Sequence, residues 1–384
     1  MYKVQSSSVA WLAQVFNRFS FRLKSTGGRP AAPLGSRILT DADDIFKHNM
    51  WDHVQWTEED RENFRQKAEE NSCIQIPLKE QGRYDKEACQ YWDRFYQTHQ
   101  NKFFKDRKWL FLEFPELLPS GSQCQATSRG LGDERGPSTP TGSRTGTETR
   151  QLSQNCPIDH HRHADTPDPE ESDQAATQTA PFPGQRASFR ILEIGCGVGN
   201  SVIPIIDSIK DTDAFLYCCD FSPRAIQLLK VHPAYDESTC HAFVHDICED
   251  ASFPFPTQSL DVILAVFVLS SIHPDRIQGI VNRLSTYLKH GGVFLFRDYG
   301  RYDFSQLRFK KGRCLSENFY TRGDGTCVYF FSKEDVHGLF SNAGLEEVQN
   351  LEDRRLQVNR GKKVVMHRVW MQSKYRKMYP LSSS

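Results

Sequence analysis

The stretch Arg190 to Asn200 restricts the fold more than any other part of the 384-residue chain. Arg190–Ile194 reads as a strand, and Gly195-Cys196-Gly197-Val198-Gly199 follows it directly. Glycine at every second position lets a backbone turn tightly and bring its amides against a ligand. A helix is expected from Asn200. Strand, glycine turn and helix, in that order, open a twisted α/β sheet.

The pattern repeats downstream. Strands are expected at Phe215–Cys219, His241–His245, Asp261–Leu269 and Val293–Phe296, with two more near 346–351 and 364–372. The apolar run of Asp261–Leu269 makes that strand central. Ser222-Pro223 caps a helix through Lys230, with proline at its first position. Ile277, Ile280, Val281, Leu284 and Leu288 stripe another, stopping at Gly291-Gly292, and Ser332–Asn342 is helical. Alternating strands and helices demand a parallel sheet covered on both faces. The expected fold class is α/β, Rossmann-like, with seven mostly parallel strands.

Ligands of such sheets lie beyond the carboxyl ends of the strands. Gly195, Gly197 and Gly199 would approach the ligand, with Glu193 just before them. Asp220 lies 21 residues past Gly199, at a strand end where a carboxylate accepts both ribose hydroxyls. Asp246 ends the next strand and would meet an adenine amino group, with Ile247 beside the ring. Asp261–Phe267, Val266 included, would wall the pocket. A dinucleotide site has a different glycine spacing, G-x-G-x-x-G, and does not need the second acid. The expected cofactor is therefore S-adenosyl-L-methionine, and the expected class is a methyltransferase.

Charge is unevenly spread although the formal net charge is zero. Residues 1–40 hold six Lys/Arg and no acid, and 353–384 hold nine Lys/Arg against one acid. A basic tail behind an acidic body suggests a polyanionic partner. Residues 1–24 combine Lys3, Arg18, Arg22, Lys24 and Ser6–Ser8 with Leu12, Val15, Phe16, Phe19 and Leu23 at helical spacing. Basic, serine-rich, acid-free and amphipathic, they read as a mitochondrial presequence, cut between about Lys24 and Arg37. No apolar run approaches the roughly 20 residues that span a bilayer.

Residues 41–118 read as aromatic-rich helices. Thr57-Glu58-Glu59-Asp60 opens one, and Ala88, Tyr91, Trp92, Phe95 and Tyr96 stripe another. Residues 119–187 are too polar to bury a core and read as a disordered insertion. Cys156, His160, His161 and His163 lie inside it without a second cysteine pair, so no metal site is expected. The cysteines show no disulfide spacing, and a reduced, intracellular setting fits best.

Several motifs together resemble the tRNA 3-methylcytidine (cytidine-N3) methyltransferase family. They are His48-Asn49-Met50-Trp51-Asp52, Tyr91–Tyr96, Phe103–Leu110, Phe114–Leu117, Glu193–Asn200, Val268–Pro274 and Phe296–Gly300. The resemblance covers about 41–118 and 188–377, and with its leader the chain looks like the family's mitochondrial member. It implies transfer of methyl to N3 of an unpaired cytidine, position 32 of the anticodon loop, in mitochondrial tRNA-Thr and tRNA-Ser. It implies that Trp92 and Tyr96 lie over the cofactor, and that the N-terminal helices and the C-terminal end both bind RNA. Seryl-tRNA synthetase enters as a partner used by some members.

On this reading Lys105, Arg107, Lys108, Arg354, Arg355, Arg360, Lys362 and Lys363 would meet phosphates, and Phe103, Phe104 or Trp109 would stack on loop bases. Methylated cytidine is a cation, so a carboxylate beside the ring would favour the transition state. Asp298 is the candidate, with Arg297 and Tyr299 orienting the base. Two other readings compete. A small-molecule or protein methyltransferase would leave the basic tail unexplained. A non-catalytic RNA-binding subunit would leave the full set of glycines and acids without purpose.

Overall fold

Side chains that alternate between two apolar faces require two covering layers. In the computed structural model, which describes residues 35–119 and 181–380, that is how β2 and β6 are built. β1 is Met50–Trp51, β2 Phe189–Ile194, β3 Ala214–Asp220, β4 Cys240–Val244, β5 Leu260–Val266 and β6 Leu288–Tyr299. Three short strands follow, β7 Cys314–Ser316, β8 Phe319–Thr321 and β9 Cys327–Tyr329, then two long ones, β10 Leu345–Asn359 and β11 Val364–Lys377. The helices are α1 Glu58–Ser72, α2 Leu78–Lys86, α3 Ala88–His99, α4 Leu110–Glu113, α5 Val202–Ile209, α6 Pro223–Lys230, α7 Pro274–Tyr287 and α8 Lys333–Ser341.

The main sheet runs β1-β10-β11-β6-β5-β2-β3-β4. Its pairings from β6 to β4 are parallel, and those of β11, β10 and β1 are antiparallel. The seven expected strands are present in a Rossmann-like sheet, and β1 adds an eighth at the edge. On one face Leu192, Ile194, Phe294 and Phe296 pack against Ile277, Ile280 and Val281 of α7 and Val336 and Phe340 of α8. On the other, Ile191, Leu264 and Leu295 pack against Val202, Ile205 and Ile206 of α5 and Leu110 of α4. Each such side chain contributes about 1.5–3 kcal/mol when fully buried.

Most expected boundaries shift by one to three residues, but four differences are larger. His48–Asp52 lies in a region expected to be helical. It instead forms β1, with Met50 opposite Gln357 and Trp51 opposite Leu356, and the Trp51 indole donates to the Ile45 carbonyl at 2.8 Å. The helix expected to stop at Gly291-Gly292 ends at Tyr287, and β6 begins at once with a register shift against β5. Phe182 and Ala187 pack against the core although they fall within the expected insertion. Residues 120–180 of that insertion, the leader and the Cys156–His163 group lie outside the described residues.

The fourth difference concerns the basic tail. β10 and β11 are 15 and 14 residues long, far longer than expected, because charges interrupt their apolar alternation. Those charges are mostly matched within the fold. Arg355 bonds Asp353 at 2.9 Å and Glu113 at 3.1 Å, and Lys374 bonds Glu116 at 2.7 Å. Arg354 pairs with Glu352. Arg368 reaches the fully buried Asp303 at 2.8 Å, and the same carboxylate oxygen accepts the Val369 amide at 2.9 Å. Asp303 thus ties the loop after β6 to the middle of β11.

Asp303→Ala leaves the Arg368 charge and the Val369 amide without this acceptor. It is expected to lower unfolding stability by about 3 kcal/mol in urea titrations, while affinity for S-adenosylhomocysteine stays unchanged.

Candidate active site

The chain passes from β2 to β3 on one side and later reaches β5 on the other, so the sheet's switch point lies between β2 and β5. A crevice opens there beyond the strand ends. The space within it, open solvent included, is about 510 Å³. Trp92, Tyr96, Gly195, Asp220, Asp246 and Ile247 line it, six of the residues expected to hold the cofactor.

The floor is a glycine turn that no other residue fits. Gly195 and Gly197 have φ of 57° and 55°, in the left-handed region that side chains disfavour. A Cβ on Gly195 would lie 2.2 Å from Val268, and one on Gly197 would lie 2.7 Å from the Tyr96 hydroxyl. Gly199, also left-handed, faces Leu229 rather than the cavity.

The Asp220 carboxylate holds this turn in place. One oxygen accepts the Gly197 amide and the other the Ser222 amide, both at 2.9 Å. Burial pushes Asp220 up to about 6, against the pull of these two amides. Asp246 follows β4 by two residues, and one of its oxygens accepts the Cys248 amide at 2.8 Å. Acids, glycines and aromatic walls match an adenosyl ligand with an attached chain, so these residues fit S-adenosylmethionine.

The roof is α3. Trp92 and Tyr96 lie one turn apart with ring centroids 5.9 Å from each other, and Tyr96 is buried. Three contacts pin the cap to the domain. Cys89 donates to the Phe221 carbonyl at 3.3 Å, the Ser222 hydroxyl donates to Asp93, and Arg276 bonds Asp85 at 2.9 Å.

Val266 is not part of the wall. Its side chain is buried in the core under the cavity, and the next residues, Phe267 and Val268, line the space instead. Phe267 has φ of 59°, a strained value for an aromatic residue. The apolar run continues through this break, which is why sequence alone extends the strand. His245, Cys248 and Ser271 also line the cavity. No spacing rule singles them out, although His245 and Cys248 flank Asp246.

The expected base-binding triplet does not converge. Arg297 and Asp298 are consecutive in β6 and point to opposite faces. Arg297 is buried, bonded to Gln372 and to Asp353, with its guanidinium 4.9 Å from the Trp109 ring and 5.1 Å from Trp370. It cannot orient a base from there. Asp298 is fully buried, and its oxygens accept the Ser270 and Tyr299 amides, both at 2.9 Å. Burial pushes it up to about 6. It braces the segment after Phe267 from beneath and offers no oxygen to the cavity. Tyr299 is half-buried behind Phe267, ring centroids 5.1 Å apart.

The RNA-facing candidates divide similarly. Lys105, Lys108, Arg360, Lys362 and Lys363 are exposed, and the last three sit at the β10–β11 turn. Phe103 and Phe104 join Phe95 and His99 in an aromatic cluster that leaves Phe104 at 37% exposure. Arg354 lies over Trp56 at 4.4 Å and is half-buried, and Arg355 is enclosed in its acid network. Arg107 is turned inward, with only 15% of its side chain exposed. Arg355 and Arg107 are therefore not surface phosphate contacts. Each is the neighbour of an acid whose position the sequence does not reveal.

Several known proteins are similar to this chain. Residues 192–294 match a family model described as a methyltransferase domain. The tRNA N(3)-cytidine methyltransferase METTL2 of Bos taurus is 49% identical over 377 residues, spanning 93% of this chain and 98% of its own length. METTL2B of Homo sapiens, which bears the same activity in its name, is 49% identical over 91% of this chain and 94% of its own. The mitochondrial METTL8 of Mus musculus, also named a tRNA N(3)-cytidine methyltransferase, is 50% identical over 65% of this chain and 91% of its own. A solved S-adenosylmethionine-dependent methyltransferase from Methanosarcina mazei shares 16% identity, with a TM-score of 0.38, over 51% of this chain and 95% of that one. With near-full-length relatives at this level of identity, the chain belongs to the tRNA N(3)-cytidine methyltransferase family.

Proposed function

We propose that this chain transfers a methyl group from S-adenosylmethionine to N3 of an unpaired cytidine, position 32 of the anticodon loop, in mitochondrial tRNA-Thr and tRNA-Ser. When bound, the cofactor supplies a methyl group on a positively charged sulfur. Cytidine N3 carries its lone pair free at neutral pH, so no residue has to remove a proton from it. N3 lies on the pairing edge, and the base must be unpaired and turned into the pocket.

The chain's own residues divide the task. Gly195 and Gly197 bring backbone to the cofactor, Asp220 accepts the ribose hydroxyls, and Asp246 and Ile247 take the adenine. Trp92 and Tyr96 close the roof and exclude water. Asp298 acts through Ser270 as a positioning residue, in place of the direct contact expected for it.

One observation carries the tRNA assignment. The aromatic-basic segment is clipped to the glycine turn, with the Arg107 amide on the Asn200 carbonyl at 2.8 Å and Asn200 on the Phe104 carbonyl at 3.3 Å. Exposed Phe104, Lys105 and Lys108 therefore flank the end of the glycine turn. Arg360, Lys362 and Lys363 give a second basic group for phosphates. The amphipathic leader supports action in the mitochondrial matrix, as does likeness to a relative named mitochondrial. Seryl-tRNA synthetase is the partner that the tRNA-Ser assignment brings.

Purified protein given methyl-labelled cofactor is expected to form 3-methylcytidine in mitochondrial tRNA-Thr and tRNA-Ser transcripts, assayed with and without seryl-tRNA synthetase. Replacing cytidine 32 by uridine should abolish it. Label that survives ribonuclease treatment, in protein or small molecules, would overturn the assignment.

Residues 1–40 fused to a fluorescent reporter should carry it into mitochondria, and a cytosolic reporter would refute the localisation.

The ribose contact needs ionised Asp220. Because burial raises its pKa to about 6, the loss of affinity on acidification sets in near pH 6 rather than near the ordinary 3.8. S-adenosylhomocysteine binding should therefore be full above pH 7 and weaken roughly tenfold per pH unit below 6. In Asp220→Asn, calorimetry should show weaker binding without that slope.

A further inference from the structure

Arg276 and Arg283 stand seven residues apart on α7, so two turns of helix bring both to one face. That face meets the loop after β4, where Asp246 and Ile247 line the cavity. Arg283 Nη2 donates to the Ile247 carbonyl at 2.6 Å, and Arg276 Nη2 to the Cys248 carbonyl at 3.1 Å. Two guanidiniums thus hold consecutive carbonyls of one loop. Arg283 stays within the domain and faces Asp250 at 3.6 Å. Arg276 goes on to the roof, where its Nη1 reaches both oxygens of Asp85 at 2.9 and 3.1 Å.

Asp85 lies in the last turn of α2, which ends at Lys86, and α3 starts at Ala88. Tyr84 and Tyr91 stack across that junction with ring centroids 6.1 Å apart, and Tyr91 donates to Glu87 at 2.8 Å. A pull on Asp85 is therefore passed to the helix that carries Trp92 and Tyr96. The other two pins of the roof, Cys89 and Asp93, meet Phe221 and Ser222 on the side of Asp220.

We propose that Arg276 is a positioning residue that couples the loop of Asp246 to the roof, so that its pairing with Asp85 governs how fast the cofactor and its product exchange. The inference rests on the methyl-donor part of the proposed function and not on the tRNA substrate. A ligand seated against Asp246 and Ile247 steadies the loop and, through the Cys248 carbonyl, one arm of the guanidinium. The other arm then closes on Asp85 with less freedom left to lose. A planar fork can serve both acceptors at once, which a single ammonium does less well. The Arg276 and Asp85 side chains are 39% and 40% exposed, so their pairing is weak and screened by salt. Such a contact suits a latch that opens and closes better than a brace for the fold.

The test follows S-adenosylhomocysteine leaving the immobilised full chain by surface plasmon resonance. Arg276→Met and Asp85→Asn should each speed dissociation by about 3- to 5-fold, with association changed by less than about twofold. The double variant should be no faster than the faster single one, because both substitutions remove the same pair. Added salt should speed dissociation from the unaltered chain and barely alter it in Arg276→Met. Arg283→Met, which loosens the same loop but does not touch the roof, should keep the salt response. Additive effects in the double variant, a full salt response in Arg276→Met, or unchanged dissociation in both single variants would overturn the proposal. Failure of the unaltered chain to bind S-adenosylhomocysteine would instead sink the methyl-donor assignment.

Discussion

Two backbone amides, from Gly197 and Ser222, converge on the carboxylate of Asp220. That convergence joins the turn after β2 to the start of α6. The turn in turn admits the Tyr96 hydroxyl because Gly197 has no side chain. Cap, turn and second strand therefore depend on one buried acid. Burial makes its charged form costly, and two amides offset part of that cost before any ligand arrives. Adenosyl hydroxyls would offset more. The acid has both a structural and a ligand-binding reason to be there.

The parts of this site legible in the sequence are those set by backbone chemistry. Alternating glycines, an acid at a strand end and proline at the first turn of α6 each have a local cause; Gly195 and Asp220 line the cavity, whereas Gly199 faces Leu229 instead. Tertiary partners are less visible. Arg107, Arg297 and Arg355 look alike in a basic stretch, yet each is buried beside an acid distant in sequence, namely Glu193, Asp353 and Glu113. A charge count cannot separate such residues from Lys105 or Arg360, which remain exposed. β7, β8 and β9 are three residues each, too short for an alternation to register.

The same limit explains the misplaced triplet. Arg297-Asp298-Tyr299 stands at the carboxyl end of a strand, where ligands gather, and its residue types suit a cytosine ring. Strand geometry sends neighbours to opposite faces, so no three consecutive residues of β6 can surround one base. Arg297 closes a stack between Trp109 and Trp370, and Asp298 holds the loop that carries Val268 and Ser271. Past the end of β5 the strained Phe267 lines the cavity, with Tyr299 behind it. Nothing in the composition of that apolar run marks the break at Phe267.

The roof over the cavity bears on timing as well as on binding. Trp92 and Tyr96 line the cavity, Cys89 and Asp93 pin their helix to the domain, and Asp85 pins the helix before it. On the proposed function, a demethylated product almost the size of the donor would have to leave beneath the same helix. Each catalytic cycle would then include a breathing step in which these pins release and re-form. When that step is slower than methyl transfer, the first turnover outruns the later ones, and the helix sets the clock for the chemistry it shelters.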